Sequence, residues 1–248
     1  MKICVIIPVY NSENLIANVI KSVFQYAENL IVVNDGSTDG TLDKLYECQK
    51  NEQFELVSYT KNRGKGYTLQ QGFRRALELS FTHAITMDAD GQHLATDIAA
   101  LVQATEKQTD ALIVGARKFD NPNMPQGNVF ANNFSNFWFT VQTGKRLPDT
   151  QTGFRVYPLQ KIGKMRLVTN RYEAELEMLV RSVWRNIPIV SQAINVYYPP
   201  KSERLSHFRG GKDFFRISVL NTVLCFLAVV WGYPRRLVHE LHELTRIK

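Results

Sequence analysis

Short apolar, β-branched runs alternate with stretches whose apolar residues recur every three or four positions, and this alternation holds from Lys2 to Gly115. Lys2 to Val9 reads as a strand. Tyr10-Asn11-Ser12 then offers a turn and a helix cap, and Leu15, Ile16, Val19, Ile20, Val23 and Phe24 follow at helical spacing. The unit returns as strand Leu30 to Val33, turn Asn34 to Gly40, helix Thr41 to about Lys50 and strand Phe54 to Tyr59. Asn62 to Gly66 leads into a helix from Tyr67 to Leu79, a strand ending at Met87, a helix from about Thr96 to Lys107 and a strand from Ala111 to Gly115. Strands joined by crossover helices require a mostly parallel sheet covered on both faces, so the chain is of α/β class. Ligands of such sheets gather at the carboxyl ends of the strands.

Those ends carry the polar clusters. Tyr10-Asn11, Asn34 to Gly40, Asn62-Arg63-Gly64-Lys65-Gly66 and Asp88-Ala89-Asp90 each follow a strand, so all four should crowd one rim. In an extended chain residues i and i+2 point to one side, so Asp88 and Asp90 converge just beyond the strand that ends at Met87. Two convergent carboxylates suit Mg²⁺ or Mn²⁺, which takes oxygen ligands from one or two carboxylates, water and a substrate's phosphates. Asp-Ala-Asp-Gly is equally good turn chemistry, and the tetrapeptide alone does not separate the two. Asp35 could accept from a base or ribose hydroxyl, or cap the helix beginning near Thr41. Gly64-Lys65-Gly66 could bring backbone N–H groups and an ammonium to a diphosphate, or be only a turn.

At 248 residues the chain reads as one domain with a small appendage. Its 30 basic against 23 acidic residues give +7, which points to an anionic partner: nucleic acid, acidic lipid or a phosphorylated substrate. Cys4, Cys48 and Cys225 lie far apart without metal-ligand spacing and read as reduced thiols. The N-terminus enters a strand after a single Lys with no small-residue cleavage site, which places the active part on the cytosolic side.

Taken together, these clusters resemble the inverting nucleotide-sugar glycosyltransferases of family 2, with the GT-A (Rossmann-like) fold, and specifically the polyprenyl-phosphate synthases of the dolichol-phosphate mannose type, over roughly residues 3 to 216. Ile6-Ile7-Pro8-Val9-Tyr10-Asn11 resembles the first donor motif, Asn34 to Thr41 the Asp-Asp-Gly-Ser-x-Asp-Gly-Thr motif, and Asn62 to Gly66 the Asn-x-Gly-Lys-Gly turn. Asp88-Ala89-Asp90-Gly91-Gln92 resembles the metal motif. The resemblance implies a donor site of Pro8, Tyr10, Asn11, Asp35, Lys65, Gly66, Asp88, Ala89 and Asp90, with a metal held by Asp88, Asp90 and Gln92. It also implies an acceptor side at Gly115-Ala116-Arg117 and Thr152-Gly153-Phe154-Arg155, where the family's arginines meet the lipid phosphate. Asp90, Arg117 and Arg155 are thereby the expected catalytic residues. Glu175 to Leu179 and Ser206-His207-Phe208-Arg209 resemble further family segments, the latter on a loop over the site. Asn34 departs from the pattern by standing where the family has the first of two Asp residues. The Gln-x-x-Arg-Trp signature of processive synthases is missing, which favours a single transfer.

Beyond Pro122 the alternation stops. Phe130, Phe134, Phe137, Trp138 and Val141 lie at helical spacing, as an amphipathic core helix or as the lining of an acceptor groove. Arg155 suits a phosphate because a planar guanidinium pairs bidentately with its oxygens, and a surface salt bridge is the competing account. Arg117, Arg155, Arg204 and Arg209 form the pool for an acceptor-phosphate clamp. His83 and His93 read as local structure rather than ligands. Ile217 to Tyr233 is 17 residues without a charge, flanked by Arg216 and Arg235-Arg236. That is short of the roughly 20 residues of a spanning helix. Its basic flanks and Trp231 and Tyr233 fit a helix lying in an anionic lipid surface, with a single span or an oligomer contact as alternatives. The division expected is therefore a catalytic domain over 1–216 and a membrane-associating helical tail over 217–248, peripheral or monotopic on the cytoplasmic face.

The function expected is transfer of one sugar from a GDP- or UDP-sugar to a polyprenyl phosphate with inversion, assisted by Mg²⁺ or Mn²⁺. A phosphate acceptor is already a nucleophile at neutral pH, whereas a hydroxyl needs a base, for which Asp149 and Glu175 are the first candidates. The alternatives are transfer to a hydroxyl of a membrane glycolipid or saccharide, and a non-catalytic scaffold that binds nucleotide sugars. No nucleic-acid motif accompanies the basic residues between Arg204 and Arg236, so lipid is the expected anion.

Overall fold

In the computed structural model, residues 1–118, 126–163, 165–198 and 210–246 are described. In chain order they form β1 (Ile3–Val9), α1 (Ile16–Phe24), β2 (Leu30–Asp35), α2 (Thr41–Gln49), β3 (Glu55–Tyr59), α3 (Lys65–Glu78) and β4 (His83–Thr86). A 3-10 turn (Ala95–Asp97) runs into α4 (Ile98–Lys107), followed by β5 (Leu112–Arg117), α5 (Gln126–Thr143), β6 (Arg155–Pro158), α6 (Leu159–Ile162), α7 (Glu173–Trp184) and β7 (Ile189–Ile194). The chain closes with α8 (Gly210–Leu227), a π-helical turn (Ala228–Gly232) and α9 (Tyr233–Arg246).

The strands form one sheet in the order β3-β2-β1-β4-β6-β5-β7. Pairing is parallel from β3 to β4 and between β5 and β7, whereas β6 runs antiparallel to both of its neighbours. Side chains of successive strand residues go to opposite faces. Cys4 and Ile6 of β1 therefore join the core beneath α3, α6, α7 and α8, while Val5, Ile7 and Val9 join the one beneath α1 and α4. The expected α/β architecture stands. The antiparallel β6 is an addition: Arg155 begins a strand in the middle of the sheet.

Two helices depart from a simple reading of their sequences. On α5 the polar residues Asn132, Gln142 and Thr143 are buried with Phe139, while Phe130 (72% exposed) and Phe137 (59%) face outward. The aromatic stripe is therefore not the core side of this helix. The polar side is buried because it finds partners there: Asn132 and Asn136 donate to the Pro148 carbonyl, and Gln142 donates to Asn221 Oδ1 of α8 at 2.8 Å. The 216/217 division also falls inside α8, whose Leu220 and Leu224, with Ala228 of the π-helical turn, pack in the same core as Trp184.

Helix α3 sits close on the sheet because Gly72 has no side chain. A Cβ there would lie 2.6 Å from Ile6 Cγ2 and 3.3 Å from Val33 Cγ2, both on rigid strands. Gly72→Leu should therefore destabilise the fold by about 2 kcal/mol or more, since overpacking outweighs the gain in helix propensity. Urea unfolding checks this, and a variant as stable as the parent would refute the close approach.

Candidate active site

The four polar clusters meet at the carboxyl ends of β1 to β4, and each is tied to the next. Asn11, at a left-handed φ of 48°, accepts on its side-chain oxygen from the Thr38 N–H (2.8 Å), and its own N–H donates to Ser37 Oγ (3.0 Å). This joins the loop after β1 to that after β2. Asp35 accepts from the backbone N–H groups of Arg63 (2.7 Å) and Gly64 (2.8 Å), joining the second loop to the third. Asp35 does not cap α2; Asp39 does, accepting from the Thr41 N–H at 3.1 Å. Asn34 has a reason of its own to be an amide. Its Nδ2 donates to Ser58 Oγ, and its Oδ1 accepts from the backbone and hydroxyl of Ser37, a donor-plus-acceptor pattern that an ionised Asp cannot make.

The third and fourth loops are joined by charge. Lys65, the first residue of α3, places Nζ 2.6 Å from Asp88 Oδ1 and 2.8 Å from Glu175 Oε2 near the start of α7. Burial alone would lower the Lys65 pKa, but the two carboxylates outweigh it and hold the ammonium above its ordinary range. Burial would likewise raise Asp88; Lys65 and then His93 overcome this and keep it ionised. At Asp90 burial and the adjacent Asp88 act together, so its carboxyl is raised despite His93. The N–H of Gln92 donates to Asp90 Oδ1, while His93 stacks on Phe154 and accepts from the Asp88 N–H, which is structural work as expected.

This arrangement fits a divalent cation. Asp90 is raised by burial and by the adjacent Asp88, both of which a cation between the two carboxylates would offset, and Asp88 already faces one cation in the Lys65 ammonium. Among the described residues no group of three or more His, Cys, Asp and Glu side chains could hold a metal alone. A metal at Asp88 and Asp90 would take its other ligands from water and diphosphate oxygens, the habit of Mg²⁺.

The remaining expected residues are distributed as follows. Pro8 and Tyr10 are half-buried on the same rim, and Ala89 is buried between the two carboxylates. Gly66 lets α3 abut α7: a Cβ there would fall 2.2 Å from Ala174 Cβ. Arg117, ending β5, is gripped by Asp149 through Nε (2.6 Å) and Nη2 (3.0 Å). Arg155 is fully buried, with Nη1 on the Glu175 carbonyl and Nη2 on that of Thr150. It therefore has no surface to offer a lipid phosphate, and neither the expected clamp nor a surface salt bridge describes it. Its part is to position the start of α7, and with it Glu175. Arg204, Arg209 and the rest of Ser206 to Arg209 lie outside the described residues.

Two roles were missed by reading the sequence. Glu175, a candidate base and part of a family-like segment, is also half of the Lys65 pair; the local signal is Glu173, Glu175 and Glu177 at alternate positions of a helix otherwise charged only at Arg181, and all three are buried. Gly153 was quoted only within a motif. A Cβ at Gly153 would lie 2.5 Å from Asp88 Oδ2 and 2.8 Å from Lys65 Nζ, so only Gly leaves room for the pair.

Residues 4–162 match the profile of Glycosyl transferase family 2, and the chain belongs to that family. It is 29% identical over 240 residues to a UDP-N-acetylglucosamine–dolichyl-phosphate N-acetylglucosaminyltransferase of Methanococcus voltae, covering 88% of this chain and 95% of that one. It is 26% identical over 216 residues to a dolichyl-phosphate beta-glucosyltransferase of Saccharomyces cerevisiae, covering 75% and 64%. Its fold is similar to glucosyl-3-phosphoglycerate synthase of Mycobacterium tuberculosis, solved with Mn²⁺, UDP-glucose and phosphoglyceric acid, at a TM-score of 0.67 and 16% identity over 90% of this chain and 79% of that one. The fold is GT-A.

Lys65→Met would leave Glu175 and Asp88 facing each other without a cation. It should cost about 3 kcal/mol or more in urea unfolding, and Lys65→Met/Glu175→Leu should recover part of that loss. A single variant of parental stability would refute the pairing.

Proposed function

We propose that this family 2 glycosyltransferase moves one sugar from a nucleotide diphosphate sugar to a polyprenyl phosphate, with inversion at the anomeric carbon. The observation that carries the acceptor is the state of the two carboxylates that could have served as a base. Asp149 accepts from Arg117 and from the backbone N–H groups of Gln151 and Thr152, and Glu175 faces Lys65. Asp149 is thus committed to holding a guanidinium and a turn, and Glu175 to an ammonium, rather than turned toward an incoming hydroxyl. A phosphate monoester needs no such base, because its second pKa of about 6 leaves it a nucleophile at neutral pH. The named activities of the Methanococcus and Saccharomyces relatives support the same acceptor class.

In this reading the donor lies along the rim made by Pro8, Tyr10, Asn11 and Asp35, with its diphosphate at Lys65, Gly66 and the Asp88-Ala89-Asp90 turn. Asp88 and Asp90, with Gln92 beside them, would hold Mg²⁺ or Mn²⁺, which supplies a Lewis acid for charge developing on the departing nucleotide. Lys65 adds a fixed ammonium there. Arg117, with its fork oriented by Asp149, receives the acceptor phosphate at the end of β5, and Arg204 and Arg209, outside the described residues, remain the other members of the expected arginine pool. The helix from Asp213 to His239 is long and apolar enough to cross a membrane by length and composition, and 22% of its apolar window is buried. We read it as the attachment that brings the site to lipid at the cytoplasmic face.

One observation favours a hydroxyl acceptor instead: Glu175 Oε1 is buried without a hydrogen-bond partner beside Lys65. The two readings separate cleanly. Purified protein in detergent with Mn²⁺ or Mg²⁺ and a panel of radiolabelled GDP- and UDP-sugars should label polyprenyl phosphate with a single sugar, and Asp90→Ala should reduce transfer roughly a hundredfold or more. Glu175→Gln should leave measurable transfer to the phosphate. Label that goes only to a glycolipid hydroxyl, and is abolished by Glu175→Gln, would select the alternative.

A further inference from the structure

Lys65 and a divalent cation have a claim on the same carboxylate. Lys65 Nζ lies 2.6 Å from Asp88 Oδ1, while Asp88 Oδ2 lies against the backbone at Gly153, where a Cβ would fall 2.5 Å from it. One oxygen of Asp88 is engaged and the other is crowded. Asp90 commits Oδ1 to the Gln92 N–H at 3.0 Å and has Oδ2 to offer, so the release of Asp88 decides whether the two carboxylates can share a cation. The Lys65 and Asp88 side chains are only 16% and 25% exposed, and in such a site an ammonium and a divalent cation on one carboxylate repel each other far more than they would in water.

The chain supplies a second seat for the ammonium. Glu175 Oε2 already lies 2.8 Å from Nζ, and Glu175 Oε1 is buried without a hydrogen-bond partner. The backbone of Glu175 is held from behind by Arg155, whose Nη1 donates to its carbonyl at 2.9 Å. Lysine carries its charge on a flexible four-carbon stem with three rotatable donors. Anchored on Glu175, the ammonium can therefore turn from Asp88 toward a phosphate oxygen without leaving the site.

We propose that Lys65 is a displaceable counter-ion: it holds Asp88 until a nucleotide diphosphate draws its ammonium away, so that the protein takes up a divalent cation together with the donor and binds the free ion weakly. This role rests on the donor and metal reading proposed above and adds to it an order of loading. A lysine that kept Asp88 throughout would leave metal binding indifferent to its removal. By linkage, nucleotide tightens metal binding by the same factor as metal tightens nucleotide binding, and part of that factor passes through Lys65.

The test is titration of the full chain with Mn²⁺, followed by the electron paramagnetic resonance signal of the free ion, alone and with UDP or GDP. Lys65→Met/Glu175→Leu is the variant to compare, because it removes one charge of each sign and leaves the net charge around Asp88 and Asp90 as in wild type. Matched thermal melts establish that it is folded. The variant should bind Mn²⁺ alone about tenfold or more tighter than wild type, and nucleotide should tighten Mn²⁺ binding to wild type by a factor about fivefold or more larger than in the variant. A folded variant that binds Mn²⁺ alone no better than wild type would overturn the proposal. Should both proteins still take up Mn²⁺ with nucleotide in that case, the metal reading stands and only the competition is lost. If neither protein binds Mn²⁺ even with nucleotide, the metal reading and the proposal fall together. A measurement on wild type alone guards against a variant that does not fold. With ¹⁵N-lysine labelling, the side-chain ammonium signal of Lys65 should shift on addition of Mg²⁺ with UDP or GDP, and a signal unmoved at saturation would overturn the displacement.

Discussion

A single ammonium group, that of Lys65, ties the candidate site together. It bridges the carboxylate just beyond β4 and one near the start of α7, and so couples the sheet, α3 and α7. A buried and a half-buried carboxylate near a third at Asp90 would be strongly destabilising without it. Much of the local architecture follows from making room for this group. Gly153 has no side chain so that Asp88 and Lys65 can meet, Gly66 has none so that α3 can reach α7, and Arg155 is buried beneath α7 to fix Glu175 from behind. The expected metal chemistry is superimposed on an ion pair that already balances part of the charge.

The rim gains its rigidity from side chains that bond to backbone. Asn11, Asp35 and Asn34 connect successive loops, and each occupies a position that could equally have contacted a nucleotide. These roles are compatible: a carboxylate that accepts two N–H groups holds the Arg63-Gly64 turn in place, and with it the start of α3, where Lys65 sits. Such preorganisation suits the proposed positioning of a diphosphate and stabilisation of charge.

Outside the sheet, the same physical rule gives an unusual outcome. Buried polar groups need partners, and exposed apolar groups need none unless they are many and contiguous. The amides of α5 find partners in the 148–150 turn and in α8, so they turn inward and leave the aromatic residues outside. The resulting surface belongs to a protein whose relatives act on lipid-linked phosphates.

The strand–helix alternation was legible element by element to Gly115, with ends within two residues, because period 2 and period 3.6 are set by backbone geometry and need no knowledge of the partner. The convergence of the four polar clusters followed from the same alternation, since parallel strands put their carboxyl ends on one side. What the sequence determined by itself is therefore the α/β class, the rim and the carboxylate pair at Asp88 and Asp90. The tertiary structure decided everything that depends on contacts between distant segments. It made β6 an antiparallel strand, buried Arg155 where a phosphate clamp was expected, paired Lys65 with Glu175 and Arg117 with Asp149, and inverted α5. Amphipathic periodicity says that a helix has two sides, but which side is buried depends on the hydrogen-bond partners the rest of the fold supplies.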